Sequence, residues 1–196
     1  MNLKREENIL DEQLMTRVGD GDRTAYKMLV DRHLRSYLAF AARIIGDRTE
    51  AEDIMQEAFV RVWRNASQWD GGRNVLFTTW FYRVVMNLCI DVKRRRQRKP
   101  VSELDEAANI KSNTPLPDAY LSDKQMAEKV GEALEYLPDR QRIAMTLCYL
   151  QGLGNQEAAS VLQISTSALE SLLVRGRRRM ADLLKAQRQE FLKEII

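Results

Sequence analysis

The stretch Asn155-Gln-Glu-Ala-Ala-Ser-Val-Leu-Gln-Ile-Ser-Thr-Ser-Ala-Leu-Glu-Ser-Leu-Leu-Val-Arg175 reads as two helices joined by a short turn. Ala159 is small where two helices must cross closely. Ile164 in the turn, with Val161, Leu162, Leu169 and Leu172 or Leu173, can fill the wedge between them. Ser165 is placed to cap the second helix by accepting a hydrogen bond from its first turn. The exposed N-terminal positions of that helix are then Thr166, Ser167, Glu170 and Ser171, which meet base edges when such a helix enters a major groove. Arg175, Arg177, Arg178 and Arg179 follow, and guanidinium groups clustered there can hold phosphates without reading sequence. The plainer alternative is a small helical bundle with a solvated arginine face; spacing, cap and arginines together favour DNA. The turn position that is often glycine is Gln163, so the turn must tolerate a side chain, at some cost if that residue is left-handed.

Upstream of this unit, Leu134, Leu137 and Pro138 end one helix, and Ile143 to Leu150 form another, stopped by Gly152 and Gly154. From Val101 to about Ser122 the apolar periodicity disappears. Pro115 and Pro117 stand there among Ser, Asn, Asp and Glu, a composition that suits a linker rather than a core.

The front half is again helical. Leu10 to Val18 reads as a short helix with Asp11 a candidate cap, broken at Gly19-Asp20-Gly21-Asp22. Ala25, Leu29, His33, Leu34, Leu38, Ala41, Ala42 and Ile45 recur at helical spacing, and Gly46 fits a left-handed stop. Asp47 begins the next helix, with Glu50 as an approximate capping box and Ile54, Met55, Ala58, Phe59, Val62 and Trp63 as its apolar side. Trp69-Asp-Gly-Gly-Arg-Asn74 is a loop. A longer helix runs from about Phe77 to Arg96, apolar through Trp80, Phe81, Val84, Val85, Leu88 and Cys89, and Pro100 ends it.

Charge follows the same division. Residues 1–100 carry 19 basic and 14 acidic side chains, residues 101–124 carry 2 and 5, and residues 125–196 carry 10 and 9. A basic front, an acidic middle and a near-neutral end indicate two modules and a linker. The net charge of +3 is too small to establish nucleic-acid binding by itself. Cys89 and Cys148 lie in apolar helical contexts in different halves and read as buried small hydrophobes, not a disulfide. The single histidine, His33, removes most zinc-site options, and the sequence offers no nucleophile–base pair or glycine-rich phosphate loop. No cofactor, metal or catalytic residue is expected. No apolar run approaches the ~20 residues that span a bilayer, and the first residues lack a signal-peptide core, so a cytoplasmic protein without membrane insertion is expected.

Two features of the front half carry chemistry. Glu50, Asp53 and Glu57 lie along one helical face, bordered by Gln56, and that acidic stripe opposite an apolar face suits a basic partner helix. A solvated face with a Glu57–Arg61 pair, worth a few tenths of a kcal/mol, is the plainer alternative. The segment from Phe77 joins aromatics to the basic end Lys93-Arg94-Arg95-Arg96, with Arg98 and Lys99 beyond. Basic side chains can track a phosphate backbone while aromatics stack on unpaired bases. Most of Trp80, Phe81 and Tyr82 should nonetheless be core, as helical aromatics usually are.

Three segments in order resemble a known family. They are Ala51-Glu-Asp-Ile-Met-Gln-Glu-Ala-Phe-Val-Arg-Val-Trp63, Trp80-Phe-Tyr-Arg-Val-Val-Met-Asn-Leu-Cys-Ile-Asp91 before the arginines, and Leu137-Pro-Asp-Arg-Gln-Arg142 ahead of Gly152-Leu153. The chain is similar to bacterial RNA polymerase sigma factors of the small extracytoplasmic-function type, which have regions 2 and 4 only; the likeness covers about residues 10–98 and 124–185. The resemblance implies that Glu50, Asp53, Gln56 and Glu57 bind the β′ clamp helices of core RNA polymerase. It gives the minus-ten promoter element to Trp80, Arg83, Asn87, Lys93, Arg94, Arg95 and Arg96, and the minus-thirty-five element to Thr166, Ser167, Glu170, Ser171, Arg175 and Arg178. The loop from Trp69 to Leu76 resembles the part that captures a flipped non-template base. A contact with the β flap and control by an anti-sigma factor are further implications. Glu170 and Leu172 stand where family members often have a basic or polar residue; Glu170 can accept from cytosine but repels phosphate, so no promoter sequence follows.

The expected architecture is all-α: a region 2 domain over 10–99, an acidic flexible linker over 100–123 and a region 4 domain with the helix-turn-helix over 124–190. The expected function is promoter recognition and strand opening for core polymerase, with no enzymatic reaction and no obligate homo-oligomer. One alternative is a stand-alone helix-turn-helix regulator, which predicts DNA binding without polymerase at a symmetric operator. Another is an RNA-binding or scaffolding protein using the basic helix near Arg95, which leaves residues 155–179 unexplained.

Overall fold

The computed structural model of the chain describes residues 9–70, 76–98 and 129–194, with side chains to residue 185. These residues form helices and turns, with no strand among them. The helices are α1 (Asp11–Gly19), α2 (Arg23–Ile45), α3 (Arg48–Asn65) followed by a 3-10 turn (Ala66–Gln68), and α4 (Phe77–Arg98). After a helical stretch over 129–135 come α5 (Asp139–Met145), which continues as a π turn (Thr146–Leu150), then α6 (Asn155–Leu162) and α7 (Thr166–Glu194). The segment read as a linker, with Pro115 and Pro117, and loop positions 71–75 lie outside the described residues. The described residues divide into two compact units, one of 9–41 with 49–98 and one of 42–48 with 129–194.

Aromatic packing holds the first unit together. Tyr37, Phe77 and Phe81 are fully buried, with Tyr37 stacked on Tyr82 at 4.2 Å and Phe81 against Phe59 at 5.0 Å. Burying each such side chain is worth about 1.5–3 kcal/mol. Their polar tips are satisfied on the way: Tyr37 donates to the Thr78 carbonyl at 3.0 Å, and Tyr26 to that of Phe59 at 3.1 Å. Gly19, the last residue of α1, permits a close approach, because a Cβ there would stand 2.7 Å from the Ala66 carbonyl oxygen.

The helix ends differ in part from expectation. Leu10, not Asp11, occupies the cap position of α1, and the Gln13 side chain accepts its N–H at 3.3 Å. Asp11 turns instead to α2, where its carboxylate accepts from His33 Nε2 at 2.8 Å and from Arg32. A carboxylate can only accept, so His33 carries its hydrogen on Nε2. Asp22 is the true cap of α2, accepting from the N–H groups of Thr24 at 2.8 Å and Ala25 at 3.1 Å. Gly46 is left-handed, with φ +77°, as its position after α2 requires. Leu34 and Trp63, both read as core, are 39% exposed, and Trp63 lies edge-on to Tyr26 at 5.3 Å. Cys89 is buried, whereas Cys148 is only half-buried.

In the second unit, buried Arg142 closes the end of the helical stretch over 129–135. It donates from Nε to the Leu134 carbonyl at 2.9 Å and from Nη2 to the carbonyls of Leu137, at 3.2 Å, and Glu135. The last carbonyls of a helix have no intrahelical donor, and a guanidinium supplies several in one plane. Burial pushes the Arg142 pKa down while the charges of Asp139 and Glu135 oppose it. Gly176 lets α7 lie close to α5, since a Cβ there would meet Met145 Cγ at 2.9 Å.

Candidate functional site

Residues 155–175 form the expected pair of helices. Gln163 ends α6 with φ 55° and ψ 45°, the left-handed conformation its place in the turn demands. The Ser165 hydroxyl accepts the Ala168 N–H at 3.2 Å, capping α7. Ala159, Val161 and Leu169 are buried at the crossing, and of the two candidates Leu173 is buried while Leu172 is half-buried. The wedge therefore uses one face of α7 and leaves the other to solvent.

On that open face Thr166, Ser167, Glu170, Ser171, Arg175 and Arg178 are all exposed. Ser171 donates to the Ser167 carbonyl at 3.0 Å and Arg175 Nε to the Ser171 carbonyl at 3.1 Å. Each bond ties a side chain back to its own helix one turn earlier. Hydroxyl lone pairs at Ser171 and the terminal nitrogens of Arg175 make no bond among the described residues.

The front unit separates its two sets of candidates onto α3 and α4. Asp53, Gln56 and Glu57 are exposed on α3, with the Glu57–Arg61 pair formed at 3.0 Å. Glu50, one turn earlier, is half-buried and does not stand alone: Arg96 of α4 reaches it, Nη2 to Oε2 at 2.5 Å and Nε to Oε1 at 3.2 Å.

On α4, Phe81 and Tyr82 are core, as helical aromatics should be. Trp80 is half-buried, stacked on Phe81 at 6.2 Å and edge-on to Trp69 at 5.5 Å. Asn87, Arg94, Arg95 and Arg96 are exposed, and Arg83 and Lys93 half-buried. The Glu50–Arg96 pairing and the inward turn of Arg142 were not read from the sequence. Glu50 and Arg96 are far apart in the chain, and Arg142 bonds back across a turn to the carbonyls that end the preceding helical stretch, so neither follows from helical periodicity.

Sigma-70 region 2 matches residues 29–99, and Sigma-70 region 4 matches residues 127–180. The chain is 31% identical over 186 residues to the ECF RNA polymerase sigma factor SigE of Mycolicibacterium smegmatis, covering 92% of this chain and 71% of that one. The chain belongs to the ECF sigma factors. NccH of Alcaligenes xylosoxydans, an RNA polymerase sigma factor, is 32% identical, the alignment covering 90% of this chain and 96% of NccH. Among solved structures, CnrH in complex with the cytosolic domain of CnrY aligns with a TM-score of 0.66 and 26% identity, over 90% of this chain and 97% of CnrH. As an ECF sigma factor the protein serves promoter-directed initiation by RNA polymerase, and α7 is the second helix of its region 4 helix-turn-helix. No helix among the described residues is long and apolar enough to cross a membrane.

Proposed function

We propose that this sigma factor grips its promoter at two places while holding core polymerase through the acidic face of α3. Asp53, Gln56 and Glu57, with Glu50 at the edge, engage the β′ clamp helices, and region 4 docks on the β flap. Arg83, Asn87 and the basic end Lys93, Arg94, Arg95 and Arg96 follow the minus-ten element, with Trp80 available to a melted base. Thr166, Ser167, Glu170 and Ser171 face the bases of the minus-thirty-five element, and Arg175 and Arg178 hold its phosphates. The observation that carries this reading is the exposed face of capped α7, where hydroxyl and carboxylate side chains are followed by arginines on a single helix. The working parts are region 2 over 10–99, an acidic connection over 100–123 and region 4 over 124–190.

The protein acts in the cytoplasm without catalysing a reaction. Its contribution is differential affinity: a surface that binds the melted strand better than duplex shifts the equilibrium towards the open form. An anti-sigma factor keeps it inactive, a reading supported by the similarity to CnrH, which was solved with a bound cytosolic domain. Run-off transcription with purified core polymerase and genomic promoter fragments tests the whole reading, with specific initiation expected. Asp53→Arg with Glu57→Arg is expected to abolish core binding in a folded protein, and normal core affinity in that variant rejects the interface on α3.

A further inference from the structure

Helix α1 precedes residues 29–99, the part that matches Sigma-70 region 2, and carries none of the contacts assigned above. It bridges two places that lie well apart in the chain. Its last residue, Gly19, lies against the carbonyl oxygen of Ala66, where a Cβ would stand at 2.7 Å. That same oxygen accepts the backbone N–H of Trp69 at 3.1 Å. Near the other end of α1, Glu12 accepts the N–H of Phe77 at 2.9 Å. The carbonyl of that same peptide group, on Leu76, accepts the N–H of Trp80 at 3.1 Å. Each end of α1 therefore holds a peptide group to which one of two tryptophans is bonded.

Those two tryptophans meet edge-on, with ring centres 5.5 Å apart, and both are half-buried. The buried indole N–H of Trp69 meets no acceptor among the described residues, so its placement depends on ring contacts and on its backbone. A carboxylate on the N–H of a peptide group also polarises the carbonyl beyond it, so Glu12 tightens the bond to Trp80. We propose that α1 is a strut that fixes Trp69 and Trp80 relative to one another, with Glu12 and Gly19 as positioning residues for a melted promoter base at Trp80. The inference rests on the assignment of Trp80 to a melted base above. A ring already held in place spares the incoming base the cost of ordering it, so the strut acts through affinity for the unpaired strand.

The test uses the full chain on core polymerase and single-stranded non-template minus-ten oligonucleotides from which one base at a time is removed. The base taken by Trp80 is the one whose removal costs affinity in wild type but not in Trp80→Ala. That cost is expected to be about fivefold or more, the scale of one stacked base. Glu12→Ala should reduce it to about twofold, and Gly19→Ala should do the same from the other end of α1. Glu12→Gln, which keeps an acceptor, should retain most of it. Removing any other base should cost each α1 variant what it costs wild type.

A cost at the Trp80 position that stays undiminished in both Glu12→Ala and Gly19→Ala overturns the proposal. A loss that is uniform across all oligonucleotides overturns it too, since α1 then serves only the stability of the fold. Failure of the underlying assignment is seen separately, in wild type alone: if no base shows a cost that depends on Trp80, that assignment falls and the role of the strut with it.

Discussion

The carboxylate of Glu12 in α1 accepts the backbone N–H of Phe77, the first residue of α4, at 2.9 Å across 65 residues of chain. The first N–H groups of a helix have no partner within it, and a carboxylate there also meets the positive end of the helix dipole. Glu12 thereby sets where α4 begins. Glu12→Ala is expected to lower the unfolding free energy by about 1–2 kcal/mol in urea titrations. Glu12→Gln, which keeps an acceptor, should lose less. Equal stability of all three proteins would show that the bond contributes nothing.

Asp11, next to it, predicts a pH dependence. Burial pushes the Asp11 carboxyl up, but the hydrogen bonds and charges of His33 and Arg32 together outweigh it and hold the group below its ordinary value of 3.8. A lowered pKa means that the unfolded chain takes up the proton first. The stabilisation is therefore complete above about pH 4 and is lost as pH falls through the folded value. Asp11→Asn should cost about 1–2 kcal/mol at neutral pH, and the gap to wild type should close on acidification. A gap that stays constant from neutral to strongly acidic pH contradicts this account.

Gly19→Ala tests the contact between α1 and the 3-10 turn. The added Cβ would meet the Ala66 oxygen at 2.7 Å, the Ala66 carbonyl carbon at 3.1 Å and Ser67 Cα at 3.3 Å, all of them backbone atoms. Alanine favours a helix by about 1 kcal/mol over glycine, yet overpacking against backbone costs about 1–3 kcal/mol. A net fall in melting temperature is expected, and a rise would mean that the turn moves freely.

The left-handed Gln163 makes the opposite prediction. Glycine adopts φ 55° without the penalty of about 1–2 kcal/mol that a Cβ incurs there. Gln163→Gly should therefore stabilise region 4, by somewhat less than that because glycine loosens the unfolded chain. Gln163→Val should destabilise it. Thermal melts of the two variants in opposite directions are the expected result.

Local chemistry made the helix-turn-helix legible in the sequence. A serine cap, a small crossing residue and apolar positions at helical spacing act within a few residues, so the structure returns them with Ser165, Ala159 and Leu169 in place. The choice between Leu172 and Leu173 was open because one helical stripe is wide enough for either, and α5, packed closely at Gly176, helps to decide it. Asp11 was read as a cap because its neighbours alone suggest one; Arg32 and His33, brought up by the fold, offer it more. Trp63 and Leu34 lie at the borders of apolar stripes, where spacing cannot say how far the neighbouring helix extends. Glu50 read as one of a row of carboxylates, and the approach of α4 brings Arg96 to it.

The unbroken course of α7 has a further consequence. Its 29 residues make a rod about 44 Å long at 1.5 Å per residue, and the same rod carries Ser171 and, one turn on, Arg175. With no joint between them, the proposed reading and anchoring groups share a single mechanical coordinate, the roll of the shaft. One residue inserted between Ser171 and Arg175 would swing the arginines by about 100° away from the reading face. On the proposed assignment, substitution can retune the grip letter by letter, while a single-residue insertion or deletion between Ser171 and Arg175 turns the two groups apart.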